Sequence, residues 1–130
     1  MQIEVVGAVI VRDGLVLCAQ RGPTGSLAGR WEFPGGKVEH GESGRSALER
    51  EIDEELRCRV DVGDEITTTR HDDGHMTVVL TTFWCTLSAG TPRPIEHSAL
   101  AWVAPGELVA LDWAPADVPA VALVSTALSR

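Results

Sequence analysis

Cysteine, positive charge and long apolar runs are all in short supply, and each shortage removes a class of protein. Only three cysteines occur, Cys18, Cys58 and Cys85. None forms a C-x-x-C pair, so neither a zinc site nor a disulfide framework is expected, and each is read as a small buried hydrophobe in a strand. Lys37 is the only lysine beside ten arginines, against nineteen acids, for a formal net charge of −8. That balance argues against a nucleic-acid polymer as partner, since such partners select a basic face. A nucleotide stays admissible, because divalent cations can lie between acidic side chains and a phosphate chain. No apolar run approaches the roughly 18 residues of a membrane-spanning helix. The opening residues lack a cationic n-region, so a cytoplasmic protein is expected, with no membrane and no protein partner evident. Internal repeats and linkers are missing too. The 130 residues, 44% of them hydrophobic, are therefore read as one domain, 1–130.

What is present is a mixture of strand and helix signals. Val5 to Val11 and Leu15 to Gln20 predict a hairpin about Arg12-Asp13-Gly14, because Asp-Gly favours a tight turn. A Gly- and Pro-containing loop, Gly22 to Gly29, leads to a short strand at Trp31-Glu32-Phe33, ended by a turn at Pro34-Gly35-Gly36. Leu48, Ile52 and Leu56 recur every fourth residue and predict a helix from Ser43 to Leu56. Two strands, Val60 to Arg70 and Met76 to Leu87, follow around a polar turn, then a strand at Ala99 to Val103 and a helix from Ala116 to Leu128. Without regular βαβ alternation, the fold class is α+β, a sandwich rather than a doubly wound sheet.

The helix carries the most informative residues. Glu51, Glu54 and Glu55 stand at i, i+3 and i+4, so their carboxylates crowd on one face. Such like-charge pairs destabilise a helix by roughly 0.2–0.5 kcal/mol each, and a hard divalent cation with oxygen ligands would offset that. A solvated acidic face is the plainer alternative. Gly35-Gly36 lets backbone approach a ligand closely, and a carbonyl freed there is a natural extra metal ligand.

Gly36, Glu42, Arg50, Glu51, Ile52, Glu54 and Glu55 fall in register with the Nudix box, and the stretch resembles that family, on its MutT-like branch. The box spans about a sixth of the chain. Trp31-Glu32-Phe33-Pro34 extends a weaker resemblance beyond it. One departure stands out: the glycine after the paired glutamates is Arg57 here, followed by Cys58 in place of an aliphatic residue. That glycine favours the left-handed residue ending a helix, so the C-cap geometry is put in question.

The resemblance implies a Nudix-type α/β/α sandwich with a mixed sheet, and hydrolysis of a nucleoside triphosphate to monophosphate and pyrophosphate. It implies Mg²⁺, with Mn²⁺ as a substitute, held by Glu51, Glu54, Glu55 and the Gly35 carbonyl. Glu96, six residues before Trp102, matches a further glutamate of MutT-like enzymes, as added metal ligand or base; a solvent-facing loop residue is the alternative. Glu51, Glu54 and Glu96 all remain candidates for the base. Arg50 would orient the carboxylates, or make an ordinary i,i+4 pair with Glu54. Glu42 is placed near the helix start, where the dipole favours an anion. Arg21 and Lys37 are read as cationic partners for the phosphates, or as surface charges.

For the base, Ala114 to Pro119 resembles the base-reading segment of MutT-like enzymes, with Asp117 where others carry asparagine. An ionised carboxylate only accepts hydrogen bonds, which suits an exocyclic amine such as cytosine N4. The segment is similar to that of the MutT-like subgroup acting on CTP, dCTP and 5-methyl-dCTP, so the resemblance implies a cytosine nucleotide, with 8-oxo-dGTP the alternative; a helix N-cap is the structural role open to Asp117. His71 and His75 flank a turn and are read as exposed, with stacking on a base as the alternative. Trp31, Trp84, Trp102 and Trp113 are read as core or edge packing. Three other classes compete. An ADP-ribose or dinucleoside polyphosphate hydrolase would need extra sequence, and a sensor without turnover typically loses box glutamates. A Ca²⁺-binding domain would need an EF-hand loop.

Overall fold

Side chains alternate across the first strand, and that alternation sets the layers. In the computed structural model, which describes residues 1–95 and 97–129, β1 runs from Gln2 to Arg12. Val6, Ala8 and Ile10 point into one core with Ala47, Leu48, Ile52 and Leu56 of helix α1 (Gly44–Leu56). Val9 points the other way, into a second core with Leu108 and with Ala120, Val121 and Val124 of helix α2 (Val118–Leu128). Period-two alternation thus serves two apolar layers with one strand, and the result is the expected α/β/α sandwich. Full burial of each Leu or Ile on α1 stabilises the packing by about 1.5–3 kcal/mol.

The hairpin forms as predicted, with β2 (Leu15–Gln20) antiparallel to β1 and Asp13 and Gly14 at φ 52° and 77° in the turn. β3 (Trp31–Glu32) and β7 (Ala99–Val103) flank β2. β5 (Arg59–Asp72) pairs antiparallel with β6 (Thr77–Ala89), and β6 lies parallel to β1. Short 3₁₀ turns occupy Pro105–Ala110 and Pro115–Asp117. The second helix is therefore shorter at its start than expected, because Pro115 opens a separate turn.

One prediction needs correction. Gly35 to Lys37 is a strand, β4, antiparallel to β1, with Gly7 opposite Gly35 and Val6 opposite Gly36. Neither glycine has positive φ. They are small for a different reason: a Cβ on Gly35 would lie 1.9 Å from the Val6 carbonyl oxygen, and one on Gly36 would lie 2.3 Å from the Glu51 carboxylate. Close approach, not a turn, is what these glycines permit.

The edge of β1 is consequently shared. β4 takes Val5 to Gly7, β2 takes Val11 and Arg12, and the Pro34 carbonyl accepts Ala8 N–H at 2.7 Å between them. The chain from β3 to β4 crosses this fork, and the main cavity opens beside it.

The three cysteines are buried and free, as expected, and burial pushes the Cys18 and Cys85 thiols up to about 12. No described helix is long and apolar enough to cross a membrane.

Candidate active site

Helix α1 begins at Ser43, whose Oγ accepts Ser46 N–H at 3.1 Å. Glu42 lies just outside the helix. Its carboxylate accepts Glu39 N–H at 2.9 Å and binds Arg50 through Nε at 2.7 Å and Nη2 at 2.8 Å. These bonds hold the acid down to about 2, the Arg50 bond contributing most. Glu42 is thus anchored by an ion pair rather than by the helix dipole.

Arg50 is the hub of the acidic face. Nη1 reaches Glu51 Oε1 at 2.9 Å and Glu54 Oε2 at 3.2 Å, while Nη2 also donates to the Lys37 carbonyl at 3.0 Å. Arg50 makes the i,i+4 pair with Glu54 and bonds Glu42 and Glu51 as well, the contacts on which an orienting role would rest. It also offsets part of the carboxylate repulsion, so the helix does not depend on a metal for that. Glu51, 15% exposed, is clamped between Arg50 and Gly36, while Glu54 stays 59% exposed.

Among the described residues no three histidine, cysteine, aspartate or glutamate side chains already converge as a cation cage. The donor set is nevertheless right for a hard cation: three carboxylates on one helix face, next to a glycine whose missing Cβ leaves room for the Glu51 carboxylate. Glu96 lies outside the described residues. Its neighbours do not: Ile95 N–H donates to the Glu55 carbonyl at 3.4 Å, and His97 Nε2 stands 2.8 Å from Glu32 Oε2.

The α1 C-cap is settled by geometry. Arg57 takes φ 55°, ψ 39°, and its N–H bonds the Asp53 carbonyl at 3.1 Å. The left-handed cap survives without glycine, at a cost of about 1–2 kcal/mol.

A cavity of about 520 Å³ joins this region to the C-terminal segment. Gly35, Gly36, Lys37 and Glu55 line it together with Ala114, Pro115, Ala116 and Asp117, as do Arg21, Glu32 and Phe33, whereas Glu51 and Glu54 are not among its lining residues. The structure therefore brings Arg21, Lys37 and Asp117 to one space with Glu55. Arg21 is not a free charge, since Nη1 binds Glu32 Oε1 at 3.0 Å. His71 also lines the cavity, whereas His75 is exposed on its turn.

Asp117 does not take the alternative structural role that the sequence left open. It stands at the start of α2, yet its side chain does not cap the helix. Oδ2 instead accepts Phe33 N–H at 3.0 Å, and the residue is 6% exposed. Burial pushes its pKa up to about 7, against the smaller opposing effect of the Phe33 bond. At neutral pH the group is divided between carboxylate and acid. The acid can donate as well as accept, so Asp117 is not limited to an amine partner. The segment is held by backbone too: Trp31 N–H bonds the Asp112 carbonyl at 2.9 Å, and Ala114 N–H bonds the Trp31 carbonyl at 2.8 Å. Trp113 is core, as expected, with its ring 4.8 Å from Phe33 and Nε1 donating to the Leu108 carbonyl at 2.7 Å.

Two features escaped sequence reasoning. Glu32 and His97 join residues 65 apart, and no local pattern announces the pair. Leu27 lines the cavity with φ 59°, a left-handed conformation that a γ-branched residue does not advertise.

A mixed sheet between two helices, with the acidic helix face and paired glycines at the fork, is the arrangement of a Nudix hydrolase. The sequence matches the NUDIX domain over residues 5–123, and the chain belongs to that family. It is 43% identical over 117 residues to the CTP pyrophosphohydrolase of Escherichia coli K12, covering 90% of this chain and 87% of that protein. It is 48% identical over 119 residues to a Mycobacterium tuberculosis protein named as an 8-oxo-dGTP diphosphatase, covering 89% and 82%. The solution structure of the E. coli ORF135 protein superposes with a TM-score of 0.86 at 38% identity, over 98% of this chain and 91% of that one. Nudix hydrolases generally use divalent metal ions.

Proposed function

We propose that the protein is a nucleoside triphosphate pyrophosphohydrolase: one water splits the bond between the α- and β-phosphates, giving nucleoside monophosphate and pyrophosphate. The observation that carries this reading is the cavity itself. Its wall combines acids (Glu32, Glu55) and cations (Arg21, Lys37) with apolar residues and the buried carboxyl group of Asp117. Relatives named for CTP and for 8-oxo-dGTP support the substrate class.

Mg²⁺ is the proposed cofactor, with Mn²⁺ as a substitute. Glu51, Glu54, Glu55 and the Gly35 carbonyl would hold it, with Glu96 as an added ligand or as the base. A cation held by these residues would supply neutralisation of phosphate charge and would make an attacking water more acidic. The chain's own residues do the rest. Arg50 fixes the carboxylates, Arg21 and Lys37 meet the phosphates, and one of Glu51, Glu54 and Glu96 removes a proton from the attacking water.

For the base we propose the cytosine nucleotides CTP, dCTP and 5-methyl-dCTP, with ionised Asp117 accepting from the exocyclic amine. A second reading, 8-oxo-dGTP, is favoured by the raised pKa of Asp117, since the protonated acid offers the donor-acceptor pair of an asparagine.

The test is chromatographic. Purified protein with Mg²⁺ is given CTP, dCTP, 5-methyl-dCTP, 8-oxo-dGTP, dGTP and ADP-ribose, with Glu54→Gln as control. Monophosphate and pyrophosphate from the cytosine compounds, lost in the variant, support both proposals. Preference for 8-oxo-dGTP keeps the reaction and overturns the cytosine assignment. Mg²⁺-dependent binding without turnover moves the protein to the sensor class.

A further inference from the structure

Beside the cavity lies a buried polar contact to which the hydrolytic reading gives no task. His97, in the loop before β7, meets solvent through its backbone, but its imidazole is only 5% exposed. Nε2 stands 2.8 Å from Glu32 Oε2, and the other oxygen of that carboxylate, Oε1, accepts Arg21 Nη1 at 3.0 Å. Three segments distant in sequence therefore meet on one carboxylate.

Anchoring the loop does not require this imidazole. Arg93 N–H already donates to the Leu56 carbonyl at 2.9 Å, and Ser98 N–H to the Gln20 carbonyl at 3.0 Å. Ser98 Oγ adds a bond to the Arg21 carbonyl at 3.1 Å. A buried imidazole must be desolvated, and an apolar side chain would fill the same space without that cost. What the imidazole alone supplies is a hold on Glu32. The effect passes to Arg21, whose side chain is 40% exposed and has many rotamers to lose. A carboxylate pinned from behind offers that guanidinium one direction, along the cavity wall.

We propose that His97 is a positioning residue: it locks Glu32 and, through that carboxylate, aims the Arg21 guanidinium at the substrate's phosphates. The proposal rests on the reading of Arg21 as a phosphate-facing cation.

The experiment uses His97→Leu, His97→Gln and His97→Asn, each alone and combined with Arg21→Ala. Glutamine presents its amide nitrogen near the place of Nε2, asparagine near that of Nδ1. For each protein one measures Tm, kcat and KM with the best nucleoside triphosphate, and calorimetric affinity for its α,β-methylene analogue. For His97→Leu and His97→Asn we expect KM and the analogue's Kd to rise about five- to tenfold, the scale of one ordinary hydrogen bond, with kcat nearly unchanged. His97→Gln should restore the wild-type values. In the Arg21→Ala background the three His97 variants should be alike.

Full additivity of His97→Leu and Arg21→Ala overturns the proposal, as does a His97→Gln protein as impaired as His97→Leu. If Arg21→Ala raises KM while His97→Leu does not, the inference fails and the reading of Arg21 stands. If Arg21→Ala changes neither KM nor analogue affinity, both fail. Should His97→Leu lower Tm too far for assay, the glutamine and asparagine pair still decides the matter.

Discussion

On the acidic face of α1, one guanidinium organises the charges: Arg50 alone reaches Glu42, Glu51 and Glu54. At Asp117, a single carboxyl group is buried against Phe33, and its bonding partner lies 84 residues away in sequence. The first region manages charge by pairing many groups at half exposure. The second desolvates one group, and burial pushes its pKa up to about 7. Paired charges keep their state over a wide pH range, whereas an unpaired buried acid titrates where the protein works.

The contrast breaks most sharply at Glu54. Glu54→Gln keeps the shape and removes the charge, so kcat should fall about 10²–10⁴-fold if this group is ligand or base, with substrate binding retained. A variant that keeps wild-type kcat would remove Glu54 from the chemistry.

Asp117→Asn tests the other region. The folded pKa lies above the unfolded value, so the folded protein binds the extra proton between about pH 4 and pH 7. Wild-type stability should therefore be highest below that window, decline through it, and level off above about 7. The variant should lack this decline and gain roughly 2–4 kcal/mol at pH 8, read from urea midpoints across pH. Parallel curves for the two proteins would show that Asp117 titrates normally. Selectivity in the variant should shift toward 8-oxo-dGTP.

Gly36→Ala comes next. The added methyl displaces the Glu51 carboxylate, and a misplacement near 1 Å costs about 10² in rate, here without a comparable loss of Tm. Equal activity would show that the clamp on Glu51 is loose.

The smallest effect is expected at Arg57→Gly. Releasing a non-glycine residue from φ 55° should stabilise the fold by at most about 1–2 kcal/mol, less what glycine loses in backbone entropy, and leave kcat alone. A loss of stability would mean that the arginine side chain contributes more than its backbone costs.

The same contrast explains what could be read without coordinates. Glu51, Glu54 and Glu55 are neighbours through helix geometry, and Leu48, Ile52 and Leu56 fix which face is buried, so spacing alone described that region. β4 was missed because Gly35-Gly36 has the local signature of a turn, while its pairing with Val5 to Gly7 is long-range. The parallel β1–β6 ladder left no local trace either. At Asp117 the residue type was legible but its state was not, because desolvation depends on what chain 84 positions away packs over it. The Glu32–His97 contact has the same character.

The backbone bonds of Trp31 to Asp112 and Ala114 tie the segment that carries Asp117 to the strand that runs on, four residues later, into Gly35. On the proposed reading, those few residues would be a ruler laid between the two ends of a nucleotide. A base that seated poorly against Asp117 would then shift along that ruler, and its phosphates would arrive out of step with the carboxylates. Selectivity for the base can in this way be expressed as rate rather than as affinity.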